Sequence, residues 1–180
     1  SEKTNSEIKQ NLNFIFNQNI FFINEFKLKE FLYKYKMIEE FQIFKKYPSS
    51  IEIKIVKTNF LANVFNDKNF FLLGSNGKMI ETKEKINQLP NIYGKFISND
   101  FFDLKKIIDK SDFDYKRIKN IFYFPSGRWD LELDTKILIK LPKDNLEDSF
   151  NLIIDILDDK KFEDIKILDL RQKNKVVINE

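Results

Sequence analysis

Residues 124–142, FPSGRWDLELDTKILIKLP, hold the only tryptophan of the chain, two apolar runs and a polar break between them. Successive side chains of a strand point to opposite faces, so Trp129, Leu131 and Leu133 share one side and Asp130, Glu132 and Asp134 take the other. If Asp134, Thr135 and Lys136 form a three-residue loop, Leu133 pairs with Ile137, Leu131 with Ile139 and Trp129 with Leu141. Both arms then send their apolar sets to one face. A two-residue loop at Asp134 and Thr135 would instead set Glu132 opposite Ile137. Because a one-residue slip moves a whole side-chain set to the wrong face, the three-residue loop is expected. The stretch reads as a core hairpin, and function has to come from elsewhere.

At 180 residues, with 42% apolar and 15% aromatic content, the chain can build one large or two small cores. Thirty-one basic against 28 acidic residues leave a net charge of +3, spread without a block of five like charges, which is weak evidence for nucleic acid. The abundance of Phe, Lys, Ile and Asn beside only four Gly and four Pro is a compositional bias, so the Phe-Phe pairs are read as core and not as motifs. Cys and His are absent, which removes thiolate chemistry, Cys/His zinc sites and Ser-His-Asp triads. No run of about 18 apolar residues reads as a membrane span, and no signal peptide opens the sequence.

Thr4 with Glu7 makes a capping box, and Ile8, Leu12, Ile15 and Phe16 continue at helical spacing. After a short apolar link at 19–24, Leu28, Phe31, Leu32 and Tyr35 form a second amphipathic stripe. Phe41 and Ile43 then alternate with polar neighbours, Pro48-Ser49-Ser50 turns the chain, and Ile51, Ile53 and Ile55 alternate again. This block is helix, helix, strand, strand. Two strands make a marginal sheet, so a further strand preceding Ser1 is expected to complete it. From Phe60 onward short strands dominate, with a hairpin signal at Gly74-Ser75-Asn76-Gly77 and a loop opening at Leu89-Pro90. Phe101, Leu104 and Ile108 suggest a helix, and 118–124 a strand leading into the opening hairpin. Asp144 with Glu147 reads as a second capping box before the helical stripe Leu146, Phe150, Ile153 and Leu157. The chain closes on a strand at 165–170, a turn at Lys173-Asn174 and a last strand at 175–178.

Carboxylate pairs at Asp130 and Glu132, Asp158 and Asp159, and Glu163 and Asp164 are read as solvated surface. Gly74-x-x-Gly77 lacks the pattern of a phosphate loop and is a turn. Tyr33, Tyr35 and Tyr47 interleave with Lys34, Lys36, Lys45 and Lys46, which could mimic a stacking surface for single strands. Aromatics packed inward with lysines outward are expected instead. No cofactor is implied.

Three stretches resemble one family. Residues 47–55, YPSSIEIKI, resemble the turn and strand that end a POTRA domain. Residues 127–133, GRWDLEL, and 165–171, IKILDLR, look like the carboxyl half of the bacterial cell-division family FtsQ/DivIB. Order and spacing both fit. The sequence departs from the family at 57–60, KTNF, in place of Glu-x-x-Pro, at Lys136 in place of a hairpin Gly, and at Gln172, where some relatives carry an aromatic that touches a partner.

The resemblance implies an α+β chain: a truncated POTRA-like domain (α-α-β-β, without its first strand) at 1–57, and a mostly antiparallel β domain with flanking helices at 58–180. It implies a non-enzymatic divisome scaffold in the periplasm, held at the inner membrane by an upstream transmembrane helix and concentrated at the septum. Its implied partners are FtsB and, through it, FtsL, bound by strand addition, with other divisome proteins reached through the POTRA domain. The last strand is the expected site: Lys175, Val176, Val177 and Ile178 offer an edge, with Val176 or Val177 bonding outward according to register, flanked by Arg171 and Gln172 and with Arg128 as a second cation. Two other classes stand as alternatives, a POTRA-type chaperone of outer-membrane protein assembly and a carboxylate-dependent envelope enzyme. The first calls for repeated POTRA units or a barrel, and the helix-helix-strand-strand block does not recur. The second calls for a buried carboxylate pair with a raised pKa in a cleft.

Overall fold

The computed structural model describes residues 8, 10–12, 18–66, 69–159, 161, 164–172 and 175–179. The Thr4–Glu7 capping box, Ile15 and Phe16, Glu163 and the turn at Lys173-Asn174 lie outside the described residues. The chain divides into two compact units, Ser1–Thr58 and Asn59–Glu180, and both mix helix with strand.

In the first unit the helix α1 (Glu25–Tyr33) starts where the Asn24 side chain accepts a hydrogen bond from the Lys27 backbone N–H at 3.2 Å. Its Leu28 and Leu32, four residues apart, are fully buried against Ile8, Leu12 and Ile38. Strands β1 (Ile38–Lys46) and β2 (Ser50–Lys57) form an antiparallel ribbon in which Phe41 faces Ile55 and Ile43 faces Ile53. These ribbon side chains are only half-buried. The expectation of inward tyrosines fails here: Tyr33 is 66% and Tyr47 62% exposed, while Tyr35 is half-buried. Tyr33 lies one position past Leu32 and so turns off the buried stripe. Tyr47 follows the end of β1, and its ring stacks on Phe21 at 5.0 Å.

The second unit is one nine-stranded sheet in the order β11-β10-β9-β8-β7-β6-β3-β4-β5. Its strands are β3 (Phe60–Asn66), β4 (Asn69–Gly74), β5 (Met79–Thr82), β6 (Asn91–Tyr93), β7 (Ile118–Tyr123), β8 (Trp129–Leu133), β9 (Leu138–Lys140), β10 (Ile167–Gln172) and β11 (Lys175–Asn179). Most neighbours are antiparallel, the parallel ones being β3 with β6, β6 with β7 and β9 with β10. Two helices, α2 (Ser98–Lys110) and α3 (Leu146–Asp158), supply Phe101, Leu104, Ile108, Phe150 and Ile153 to the core on one face. Among the described residues no helix is long and apolar enough to cross a membrane.

The opening hairpin has the expected register, with Leu131 opposite Ile139, Leu133 N–H bonded to Ile137 O at 2.9 Å and Leu141 N–H to Trp129 O at 3.2 Å. Trp129, Leu131, Leu133, Ile139 and Leu141 are all buried, each worth roughly 1.5–3 kcal/mol of transfer from water. The three-residue loop closes through Lys136 N–H to Leu133 O at 3.0 Å, with Lys136 at φ +69°. A left-handed lysine is the cost of lacking glycine there.

Two local expectations are corrected. Strand β6 lies where a loop was expected after Leu89-Pro90, because three residues with Ile92 as the one buried side chain give no period to read, yet parallel neighbours flank them on both sides. It ends at Gly94, φ +109°, where a Cβ would sit 2.2 Å from the Tyr123 carbonyl oxygen. The Asp144–Glu147 capping box does not form. Instead α3 begins at Leu146, and the residue before it, Asn145, is left-handed at φ +59° without a side-chain cap bond.

Candidate partner-binding edge

β11 is an outer strand of the sheet and pairs with β10 through Ile167–Asn179, Leu168–Ile178 and Asp169–Val177. On the other side of β10, Leu138 N–H bonds Lys166 O at 2.8 Å within the parallel ladder to β9. That bond turns the backbone groups of Ile167 and Asp169 toward β11, so Asn179 and Val177 spend theirs on β10. The alternate residues, Val176 and Ile178, direct their N–H and C=O away from the sheet. Of the two positions the sequence left open, Val176 has the outward groups. The side chains of Val176 and Ile178 pack against the core, and a bulge before Gln172–Lys175 twists the end of the strand.

Beside this edge an open groove of about 530 Å³ lies between the start of α3 and the ends of β10 and β11. Arg171, Gln172, Lys175 and Val176 line it together with Leu152 and Leu170. Four of the seven residues named from the sequence therefore meet at one place. Val177 and Ile178 continue the same strand.

Arg128 arrives by a different route. On the face away from the helices, pairing sets Val177, Asp169, Lys140 and Asp130 in one row across β11, β10, β9 and β8. Arg128 Nε donates to Asp130 Oδ1 at 3.0 Å and its guanidinium lies 4.2 Å from the Phe124 ring centre. Arg171 Nε donates to Asp169 Oδ1 at 2.8 Å, with Nη2 on the second oxygen. The two cations thus bracket one row. Each already has a carboxylate of this chain, so a partner's acid would share them.

The row corrects the reading of Asp130 as solvated surface, since it is 4% exposed. Its strand lies fourth among nine, where both faces are crowded and alternation no longer separates inside from outside. Burial pushes the Asp130 carboxyl above the usual aspartate range, against the hydrogen bonds and charge of Arg128. Asp169 goes the other way, held low chiefly by its hydrogen bond from Arg171. Among the described residues Asp130 is the one carboxyl raised in this way, and its cross-strand neighbour is Lys140, whereas acid–base catalysis by carboxylates uses a converging pair. Among the described residues no group of three or more acidic side chains could hold a metal ion. The signal that could have found this cluster was present: Arg128-x-Asp130 and Asp169-x-Arg171 each pair opposite charges two apart on a strand, and the deduced hairpin register sets Asp130 opposite Lys140.

A second polar row runs below it. Asn63 Nδ2 reaches Asn91 Oδ1 at 3.3 Å, Asn91 Nδ2 reaches Asn120 Oδ1 at 2.9 Å, and Asn120 Nδ2 reaches Glu132 Oε2 at 2.6 Å. The buried Asn63 also accepts from Ile86 N–H and donates to Ile86 and Leu89 carbonyls, which pins the loop before β6. This row is structural.

The model of the C-terminal domain of cell division protein FtsQ/DivIB matches residues 62–171. Cell division protein FtsQ of Rickettsia bellii is 29% identical over 172 residues, covering 88% of this chain and 61% of the relative, so the chain spans about three fifths of that protein. The solved extracytoplasmic domain of the trans isomer of DivIB from Geobacillus stearothermophilus aligns at a TM-score of 0.41 and 15% identity, over 53% of this chain and 87% of that one.

Proposed function

Because the chain belongs to the FtsQ/DivIB family of cell division proteins, we propose that it is a non-enzymatic scaffold of the divisome that captures FtsB, and through it FtsL, by adding a partner strand to β11. The observation that carries this reading is the outward backbone of Val176 and Ile178 beside a groove and two arginines. Strand addition uses the backbone row for affinity and the flanking side chains for choice. Here a partner strand would send alternate side chains toward Leu152 and Leu170 on one side, and toward Val177 and Arg171 on the other.

On this reading the 1–57 block is a POTRA-like domain lacking its first strand, which contributes contacts to other divisome proteins, and 58–180 is the FtsB-binding domain. An upstream transmembrane helix holds the protein in the inner membrane with both blocks in the periplasm at the septum. Titration with a peptide from the membrane-proximal periplasmic segment of FtsB tests the proposal. Saturable binding is expected, and Arg171→Glu is expected to weaken it more at low salt than at high. No heat and no shift at any concentration would remove FtsB as the occupant of this edge.

A further inference from the structure

Three phenylalanines of the first unit stand in water: Phe21 is 67%, Phe22 82% and Phe26 73% exposed. They are presented by a defined turn. Ile20 and Ile23 are buried on its inner side, and the Asn19 side chain caps the 3-10 turn by accepting from Phe21 N–H at 3.0 Å. α1 follows directly behind Asn24. The apolar residues therefore split into an anchoring pair and an outward trio, which is a different pattern from a core segment that has lost its cover.

Cations lie beside the trio along the chain. Lys45 Nζ donates to the carbonyl of Ile23, the residue after Phe22, at 3.1 Å, and Lys27, which follows Phe26 on α1, makes no ion pair among the described residues. Lys29 bonds Glu25 at 2.9 Å, which leaves Lys27 and Lys45 without an ion-pair partner among the described residues. The alternation of lysine and tyrosine noted in the sequence belongs to the same surface through Tyr47, which stacks on Phe21.

We propose that this turn docks on an anionic lipid bilayer, with Phe21, Phe22 and Phe26 entering the interfacial layer and Lys27 and Lys45 lying among the head groups. Among the described residues Phe22 and Phe26 have no ring stacked on them, and a bilayer, unlike a protein groove, accepts protruding rings without shape complementarity. Positive charge beside them matches an anionic leaflet, at a strength that salt screens. Stacking on nucleic-acid bases fits less well, because Phe21 and Tyr47 turn ring faces on each other. The inference is independent of the β11 edge, which belongs to the other unit.

The test is co-sedimentation of the full 180-residue chain with vesicles of phosphatidylcholine alone or mixed with phosphatidylglycerol. Binding is expected to the mixed vesicles and to fall with added salt. Phe22→Ser with Phe26→Ser is expected to lower partitioning by about tenfold per ring, and Lys27→Glu to weaken only the salt-sensitive part. Both rings are exposed, so the variants should fold, which unchanged circular dichroism and unchanged amide protection across 41–56 verify. Absence of binding to mixed vesicles, or binding indifferent to the two serines, overturns the proposal. So does a dimer in vesicle-free sedimentation that the same serine pair dissociates, since the surface would then be covered by protein.

Discussion

The ribbon of the first unit and the hairpin of the second are written in the same alphabet and end up in different environments. In β1 Phe41 and Ile43 are separated by polar Gln42, and in β2 Ile51, Ile53 and Ile55 alternate with charges as regularly as Trp129, Leu131 and Leu133 do in β8. Yet the former are half-buried while every one of the latter is 5% exposed or less. What differs is what surrounds them. β8 has strands on both sides and two helices over its apolar face, whereas among the described residues the ribbon has a single partner per strand and packs on a small cluster formed by α1 with Ile8 and Leu12. Alternation says which side chains share a face, and burial depends on how many neighbours that face acquires.

The comparison is sharpest in truncations. Trp129→Ala should cost about 3–5 kcal/mol of stability, and Ile43→Ala, from the half-buried ribbon, about 1 kcal/mol. Similar costs by denaturant titration would mean that the ribbon is as well covered as the hairpin. Amide exchange should follow the same order, with protection at 41–56 lower than at 129–141 by roughly a hundredfold. Equal protection would break the contrast. Lys136→Gly should stabilise the second unit by about 1 kcal/mol through relief of the left-handed lysine, read as a shift in the denaturation midpoint with unchanged slope. No shift would mean that the loop relaxes without glycine.

The smallest effect is in pH, where two carboxylates of one row act oppositely. Asp130 is raised, so its ionised form burdens the fold above that raised pKa, and the burden fades as pH falls through it toward about 4. Asp169 is lowered, so it contributes stability above about 4 that is lost as pH falls through its depressed pKa. Relative to Asp130→Asn the parent should gain stability on acidification, and relative to Asp169→Asn it should lose it. Movement in one direction for both pairs would contradict the burial of Asp130.

Much of this architecture was legible in the sequence because period-two patterns need no tertiary knowledge. The hairpin register, the Gly74–Gly77 turn and the position of the last strand followed from alternation and turn chemistry alone. Strand β6 did not, since three residues carry no period and its pairing is supplied by β3 and β7, distant in sequence. Asp130 was misread because the polar side of an edge hairpin is wet, and the sequence does not state that β8 is interior. Tyr33 and Tyr47 were misread for the opposite reason, since among the described residues the small cluster of the first unit does not cover them. As for the site, the strand was visible, but the meeting of Arg128 and Arg171 on one row depends on β9 lying parallel to β10.

The most direct test is calorimetry of FtsB-peptide binding to Val176→Pro and Ile178→Pro, with folding verified by Trp129 fluorescence. Both positions direct their N–H outward, so proline removes a donor that only the partner strand would use and leaves the β10–β11 ladder intact. Strand addition at β11 predicts that both variants fold and that binding is abolished. Folded variants with the parent's full affinity would place the partner somewhere other than this edge.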